Sequence, residues 1–229
     1  MSFKSGFKNT LIRLFFSCWR LFVFSPKNKK NIPHKILLVS TTALGDTLWG
    51  TPVIQALKIE KKAAFTAILT SPVGALALQN NPHLDRVFIW QKPLLPLLRR
   101  LRRENFSKIV LLHTSQRLVL PFCALLRPNT ITGTSGFNKG LDFLLTDPRA
   151  PQKEHEIQRR LNLIDANNFP APMHYFFSKA EEQRLAAVPA AIILHPGAKD
   201  RFKCWPLENF CKVGEALHQK TGLPLIISG

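Results

Sequence analysis

The sequence predicts an α/β protein: a doubly wound parallel sheet, followed by the first β-α-β of a second sheet of the same kind. Three observations carry this expectation. From residue 35 onward, short apolar, β-branched runs alternate with helical patterns. Those runs are hydrophobic almost throughout, as strands covered on both faces require. The alternation then restarts near residue 190, after a helix-start signal at Ser178.

Strands are expected at 35–40, 64–70, 85–90, 107–113 and 129–133, and helices at 46–61, 72–80, 94–104, 115–126 and 153–167. The Gly- and Ser-bearing segment 133–140 reads as an exposed interruption. In the later part, Ser178-Lys-Ala-Glu181 fits a capping box, in which serine and glutamate satisfy each other's backbone N–H groups. A strand at 190–194, a loop at 195–206, a helix at 207–220 and a strand at 224–228 follow, with Gly222 placed to end the helix. Three regions result: an arm over 1–30, a first domain over 31–177, and a second over 178–229. A β-α-β unit this small cannot bury its own faces. It must pack on the first domain, or the sequence is C-terminally incomplete, and the second is the reading expected here.

Composition narrows the function. The chain has 229 residues, a formal charge of +18 and 45% hydrophobic residues. That excludes a disordered chain, allows one or two domains and points to anionic partners. Cys18, Cys123, Cys204 and Cys211 form no CxxC pair and no metal-ligand spacing, so a reduced, cytoplasmic setting is expected.

Lys4, Lys8, Arg13, Arg20, Lys27, Lys29 and Lys30 all precede the first acid, Asp46. The apolar run at 11–24 carries two arginines and falls short of the roughly 20 apolar residues of a membrane span. No small-residue cleavage site follows it. At helical spacing Lys4, Lys8, Arg13, Ser17 and Arg20 share one side, and Phe3, Phe7, Leu11, Leu14, Phe15, Cys18 and Phe22 the other. This is the pattern of an interfacial helix lying on an anionic membrane. A helix covering the core is the alternative.

The segment 35–57, KILLVSTTALGDTLWGTPVIQAL, joins a strand, a small polar turn and a helix start. That is the ligand-binding end of an α/β unit. Asp46 stands just past the strand, where a carboxylate can serve as a base, and Gly45 lets a substrate approach the backbone. A first-turn acid complementing the helix dipole is the other reading.

The stretch ALGDTLWGTP resembles the N-terminal signature of the ADP-heptose:lipopolysaccharide heptosyltransferases, glycosyltransferase family 9. HPGAKDRFKCWPLENF resembles the opening of that family's second domain, and KEHEIQRRLNLI its intervening His-x-x-x-Arg-x-Leu segment. The three occur in the family's order and together cover most of residues 35–229.

The resemblance implies a GT-B-type architecture of two Rossmann-like domains, an acceptor domain followed by a nucleotide-sugar-binding domain. It implies inverting transfer of a heptose or related sugar from an ADP-sugar to a lipopolysaccharide core acceptor. Asp46 is then the catalytic base. Thr42, Gly45, Thr47, His155 and Arg159 are substrate-binding, and Gly197, Ala198, Lys199 and Lys203 hold the diphosphate of the nucleotide sugar. Lys203 occupies the family's Lys-x-Trp-Pro element, ahead of Trp205 and Pro206.

The expected partners are a nucleotide sugar, an anionic lipid-linked saccharide acceptor and, through residues 1–30, an anionic membrane surface at the inner face of the cytoplasmic membrane. No cofactor is expected. No Asp-x-Asp pair marks a divalent-metal diphosphate site, so metal-independent chemistry is expected.

Competing classes leave weaker marks. The turn STTALGD lacks G-x-G-x-x-G, and no P-loop is present. A basic nucleic-acid-binding module would suit the charge and the run LLRRLRRENFSK at 97–108, but recognised binding signatures are missing, and no nucleic acid is expected as a partner. A non-catalytic remnant of a transferase is the remaining alternative.

Overall fold

The computed structural model describes residues 10–12, 14–16, 35–113, 118–170, 172–198 and 200–228. The chain divides into two compact units, Met1–Phe176 and Phe177–Gly229.

In the first unit six strands form one sheet: β1 (Lys35–Ser40), β2 (Phe65–Thr70), β3 (Arg86–Ile89), β4 (Lys108–Leu111), β5 (Thr130–Thr134) and β6 (Asp147–Arg149). Their order is β3-β2-β1-β4-β5-β6, and every neighbouring pair is parallel. The register is set by β1, whose Leu37 and Val39 pack into one core while Ile36 and Leu38 pack into the other. Strands enclosed on both faces explain why the apolar runs lack an alternating polar face.

Among the described residues five helices lie between the strands, α1 (Leu44–Leu48), α2 (Thr51–Ile59), α3 (Pro72–Ala77), α4 (Leu94–Glu104) and α5 (Val119–Leu125), and α6 (Glu156–Asn162) follows β6. One core joins Leu101 of α4 and Val119, Leu120 and Phe122 of α5 to the sheet. The other joins Val53, Ile54 and Leu57 of α2 and Ile157 and Leu161 of α6.

Three expectations are corrected. The helix expected at 46–61 is two helices, because the chain turns at Trp49 and Gly50 and Pro52 restarts it. A Cβ on Gly50 would stand 3.0 Å from the Leu112 side chain, so glycine fits the break. The edge strand β6 was not anticipated, since Asp147-Pro148-Arg149 has none of the composition of a strand and pairs on one side only. Segment 133–140 is not simply exposed: Gly133 and Thr134 complete β5, and buried Asn138 donates to the Thr134 carbonyl and the Asp142 carboxylate.

Most of the arm lies outside the described residues. Residues 10–12 and 14–16 are helical. Phe16 is buried and Ile12 packs on the core shared by α4 and α5, while Leu11, Leu14 and Phe15 stay more than half exposed. Ile12 thus turns to the sheet, while the exposed Leu11, Leu14 and Phe15 are three of the side chains expected on the arm's apolar side. Among the described residues no helix is long and apolar enough to cross a membrane.

The second unit holds α7 (Lys179–Ala186), β7 (Ile192–Leu194), α8 (Leu207–Thr221) and β8 (Leu225–Ile227). The capping box of Ser178 and Glu181 is formed. Strands β7 and β8 are parallel, joined through α8, which ends at Gly222 in the left-handed conformation (φ 68°). Gly214 of α8 lies against Leu194 and Leu225, where a side chain would crowd the sheet.

Candidate active site around Asp46

The strand order reverses at β1, between β2 and β4. In an open parallel sheet the crevice beyond the carboxyl ends of the strands at such a reversal is where ligands bind. The segments leaving β1 and β4 both carry polar residues there: Thr41, Thr42 and Asp46 after β1, and His113 after β4.

Asp46 lies in the first turn of α1, with a side chain 34% exposed. The guanidinium of Arg160 on α6 donates to the Asp46 backbone carbonyl and reaches its Oδ1 at 3.5 Å. Arg160 has a side chain only 2% exposed, lies 3.8 Å from Glu156 Oε2, and sits 5.7 Å from the centre of the Trp49 ring. Burial pulls its pKa below the ordinary value, while Asp46 and Glu156 counter that shift. The buried cation therefore clamps the acid through both its main chain and its carboxylate.

His113 stands behind this pair. Its Nδ1 is 3.1 Å from the Val39 carbonyl and its Nε2 3.3 Å from Thr41 Oγ1. The carbonyl can only accept, so Nδ1 carries the proton and Nε2 is left to accept from the threonine hydroxyl. Burial chiefly lowers its pKa; the Val39 bond opposes this, Arg160 adds to it and Asp46 opposes it.

The expected site residues fall into distinct groups. Gly45 is exposed, and an added Cβ would meet nothing within 4 Å, so the approach to the backbone is open. Thr42 Oγ1 is buried without a partner among the described residues. Thr47 is fully enclosed: its hydroxyl donates to Ala43 O and lies 3.3 Å from Thr70 Oγ1, which gives it a packing position rather than one facing a substrate.

His155 is the N-cap of α6, and its carbonyl accepts from the Arg159 N–H one turn on. Its Nδ1 accepts from the Ile157 N–H, and its ring meets the edge of Trp49. Arg159 pairs with Glu156 at 2.5 Å and lines a polar cleft of about 150 Å³ with Thr134, Arg149 and Asn162. The adjacent arginines thus divide, Arg160 going to Asp46 and Arg159 to the cleft.

In the second unit, Gly197 and Ala198 follow β7 in an exposed loop, and Lys199 lies outside the described residues. Lys203 is 59% exposed and pairs with Asp200 at 2.7 Å. Trp205 packs edge-on against Phe210 of α8 and anchors the loop.

Sequence reasoning missed Arg160, His113 and Trp49. A signal existed for Arg160: it lies three and four residues from the buried Ile157 and Ile164, so it is placed on the helix's inward side. Nothing local marks His113.

Comparison with solved structures identifies the fold. The fold is that of the GT-B-type family 9 glycosyltransferases. A family 9 glycosyl transferase from Veillonella parvula matches 85% of this chain and 62% of its own, at 17% identity and a TM-score of 0.65. ADP-heptose lipopolysaccharide heptosyltransferase II of E. coli matches 84% and 63%, at 17% identity and a TM-score of 0.67. The E. coli heptosyltransferase WaaC, solved with ADP, matches 85% and 66%, at 14% identity and a TM-score of 0.65. The chain thus spans less than two thirds of the length of the first two. No protein-family model and no curated protein matches the sequence.

Proposed function

We propose that this chain is the acceptor domain and the start of the donor domain of an inverting glycosyltransferase, which moves a heptose or related sugar from an ADP-sugar to a lipopolysaccharide core acceptor. The observation that carries the reading is the clamped carboxylate of Asp46 at the sheet's switch point, in a fold shared with heptosyltransferases.

In this reading an acceptor hydroxyl attacks the anomeric carbon. A new C–O bond forms, the sugar–phosphate bond breaks, and the hydroxyl proton passes to the Asp46 carboxylate. Arg160 keeps that carboxylate oriented. Gly45 and Thr42 face the acceptor, and His155 and Arg159 border it. The departing diphosphate is taken up by backbone N–H groups at Gly197 and Ala198 and by Lys199 and Lys203, without a metal. Lys203 must exchange its Asp200 partner for phosphate. The protein works at the inner face of the cytoplasmic membrane, with residues 1–30 contacting anionic lipid.

The test is ADP release from ADP-heptose in the presence of a heptose-deficient lipopolysaccharide core. Asp46→Asn is expected to lower kcat by about 10²–10⁴-fold, the usual contribution of a positioned general base, with the thermal midpoint preserved. Turnover within a few-fold of the parent would refute the assignment.

A further inference from the structure

The arginine-rich run at 97–108 has no place in that chemistry, yet the fold gives it a definite form. Leu94, Leu97, Leu98 and Leu101 of α4 turn to the core. Leu95, Arg99, Arg102 and Arg103, at i, i+4, i+7 and i+8, share the opposite face and are exposed. Among the described residues none of these three arginines pairs with a carboxylate. Glu104, the one acid of the helix, is taken by Arg86 and Lys35, and Arg100 lies over the Phe88 ring. Arg127, just beyond α5, adds to the cluster. Its pKa is drawn down first by partial desolvation and then by the neighbouring charge of Arg102. Cations held close enough to repel call for a polyanion.

The apolar surroundings indicate which one. Ile12 packs on the same core as Leu94, Leu97 and Leu98, so the helical residues 10–12 and α4 cover the same side of the sheet. That side exposes Leu11 (52%), Leu14 (58%), Phe15 (53%) and Leu95 (55%). Nucleic acid takes single apolar side chains between or against its bases, whereas a bilayer interface takes a cluster of leucine and phenylalanine among its acyl chains and guanidinium on its phosphates.

We infer that the Arg99–Arg102–Arg103 face of α4 is a docking surface for an anionic phospholipid bilayer, acting with the exposed side chains of Leu11, Leu14 and Phe15. It extends the membrane contact proposed for residues 1–30 to a separate element, and it does not depend on Asp46 chemistry.

The test is co-sedimentation of the full chain with phosphatidylcholine vesicles, with and without one third phosphatidylglycerol, over a range of salt. Anionic vesicles are expected to bind more tightly, with binding that weakens as salt rises. Arg99→Gln/Arg102→Gln/Arg103→Gln should weaken it by at least about tenfold, since each cation near the surface contributes to attraction. The exposed positions leave the melting temperature unchanged. A separate variant, Leu11→Ser/Leu14→Ser/Phe15→Ser, should lower binding to both vesicle types while the residual binding to anionic vesicles keeps its salt dependence. Binding by the arginine variant within twofold of the parent would overturn the proposal. So would a parent that ignores lipid charge, or one that prefers a 20-nucleotide single-stranded RNA, or an acidic polypeptide, at the same salt.

Discussion

Arg160 is the residue on which the site's geometry depends. A guanidinium this enclosed is tolerated because Asp46, Glu156 and the Trp49 ring surround it. Arg160→Leu would leave the two acids without their shared cation. Because both acids are partly exposed, the expected loss is about 1–3 kcal/mol, at the low end of what breaking a buried pair costs, read from urea unfolding. Arg160→Lys keeps the charge but loses the two-pronged grip. Its expected signature is a lower kcat with KM little changed. A fall in stability alone, with kcat intact, would make Arg160 purely structural.

His113 yields a pH prediction. Its folded pKa lies below the ordinary 6.5. Above about 6.5 both folded and unfolded states are neutral at this group, and stability is unaffected. As pH falls below that value the unfolded chain takes up a proton that the folded one refuses, so stability declines toward the lower folded pKa, by up to about 1.4 kcal/mol per pH unit. Unfolding free energies at pH 7.5 and 5.5 should show this fall, and His113→Gln should remove most of it.

At the scale of elements, the packing of α3 beside the site depends on one glycine. A Cβ on Gly74 would stand 2.2 Å from Thr70 Oγ1 and 2.8 Å from Thr47 Oγ1, two enclosed side chains. Gly74→Ala must displace α3 or break the Thr47–Thr70 contact, at a cost of about 1–3 kcal/mol, as overpacking of a close-packed interior usually carries. Gly45→Ala makes the opposite case, since open space surrounds it. Its melting temperature should stay at the parent's value while turnover falls, if a substrate comes close there. Thermal melts of the two variants, run together, check both statements. The elements also explain what was legible. Helix α4 and strand β1 were read to the residue, because strong periodicity and an uninterrupted apolar run leave little choice. The α1–α2 break was not, because it answers to Leu112 on another element, 62 positions beyond Gly50.

For the whole molecule, the charge of +18 remains the dominant global property. Charge of one sign speeds encounter with anions and is screened by salt. On the proposed transferase reading, ADP is expected to associate more slowly as salt rises from about 50 to 500 mM, with its dissociation rate little changed. Stopped-flow fluorescence with a labelled ADP measures both. Salt-independent association would mean that the excess cations serve some other surface, of which the α4 face is the one described above.

The sequence by itself determined the α/β class, the parallel sheet, the capping box at Ser178, the helix ending at Gly222 and the place of Asp46 beyond β1. These follow from local spacing and from residue types with narrow conformational preference. Only the tertiary structure decided that Arg160 rather than Arg159 grips Asp46, that His113 stands behind it, that Thr47 packs inward, and that Ile12 turns to the core. Each of those depends on residues far apart in the chain, 114 positions in the case of Arg160 and Asp46. A one-residue change in helix phase, 100° of rotation, is enough to exchange an inward arginine for an outward one.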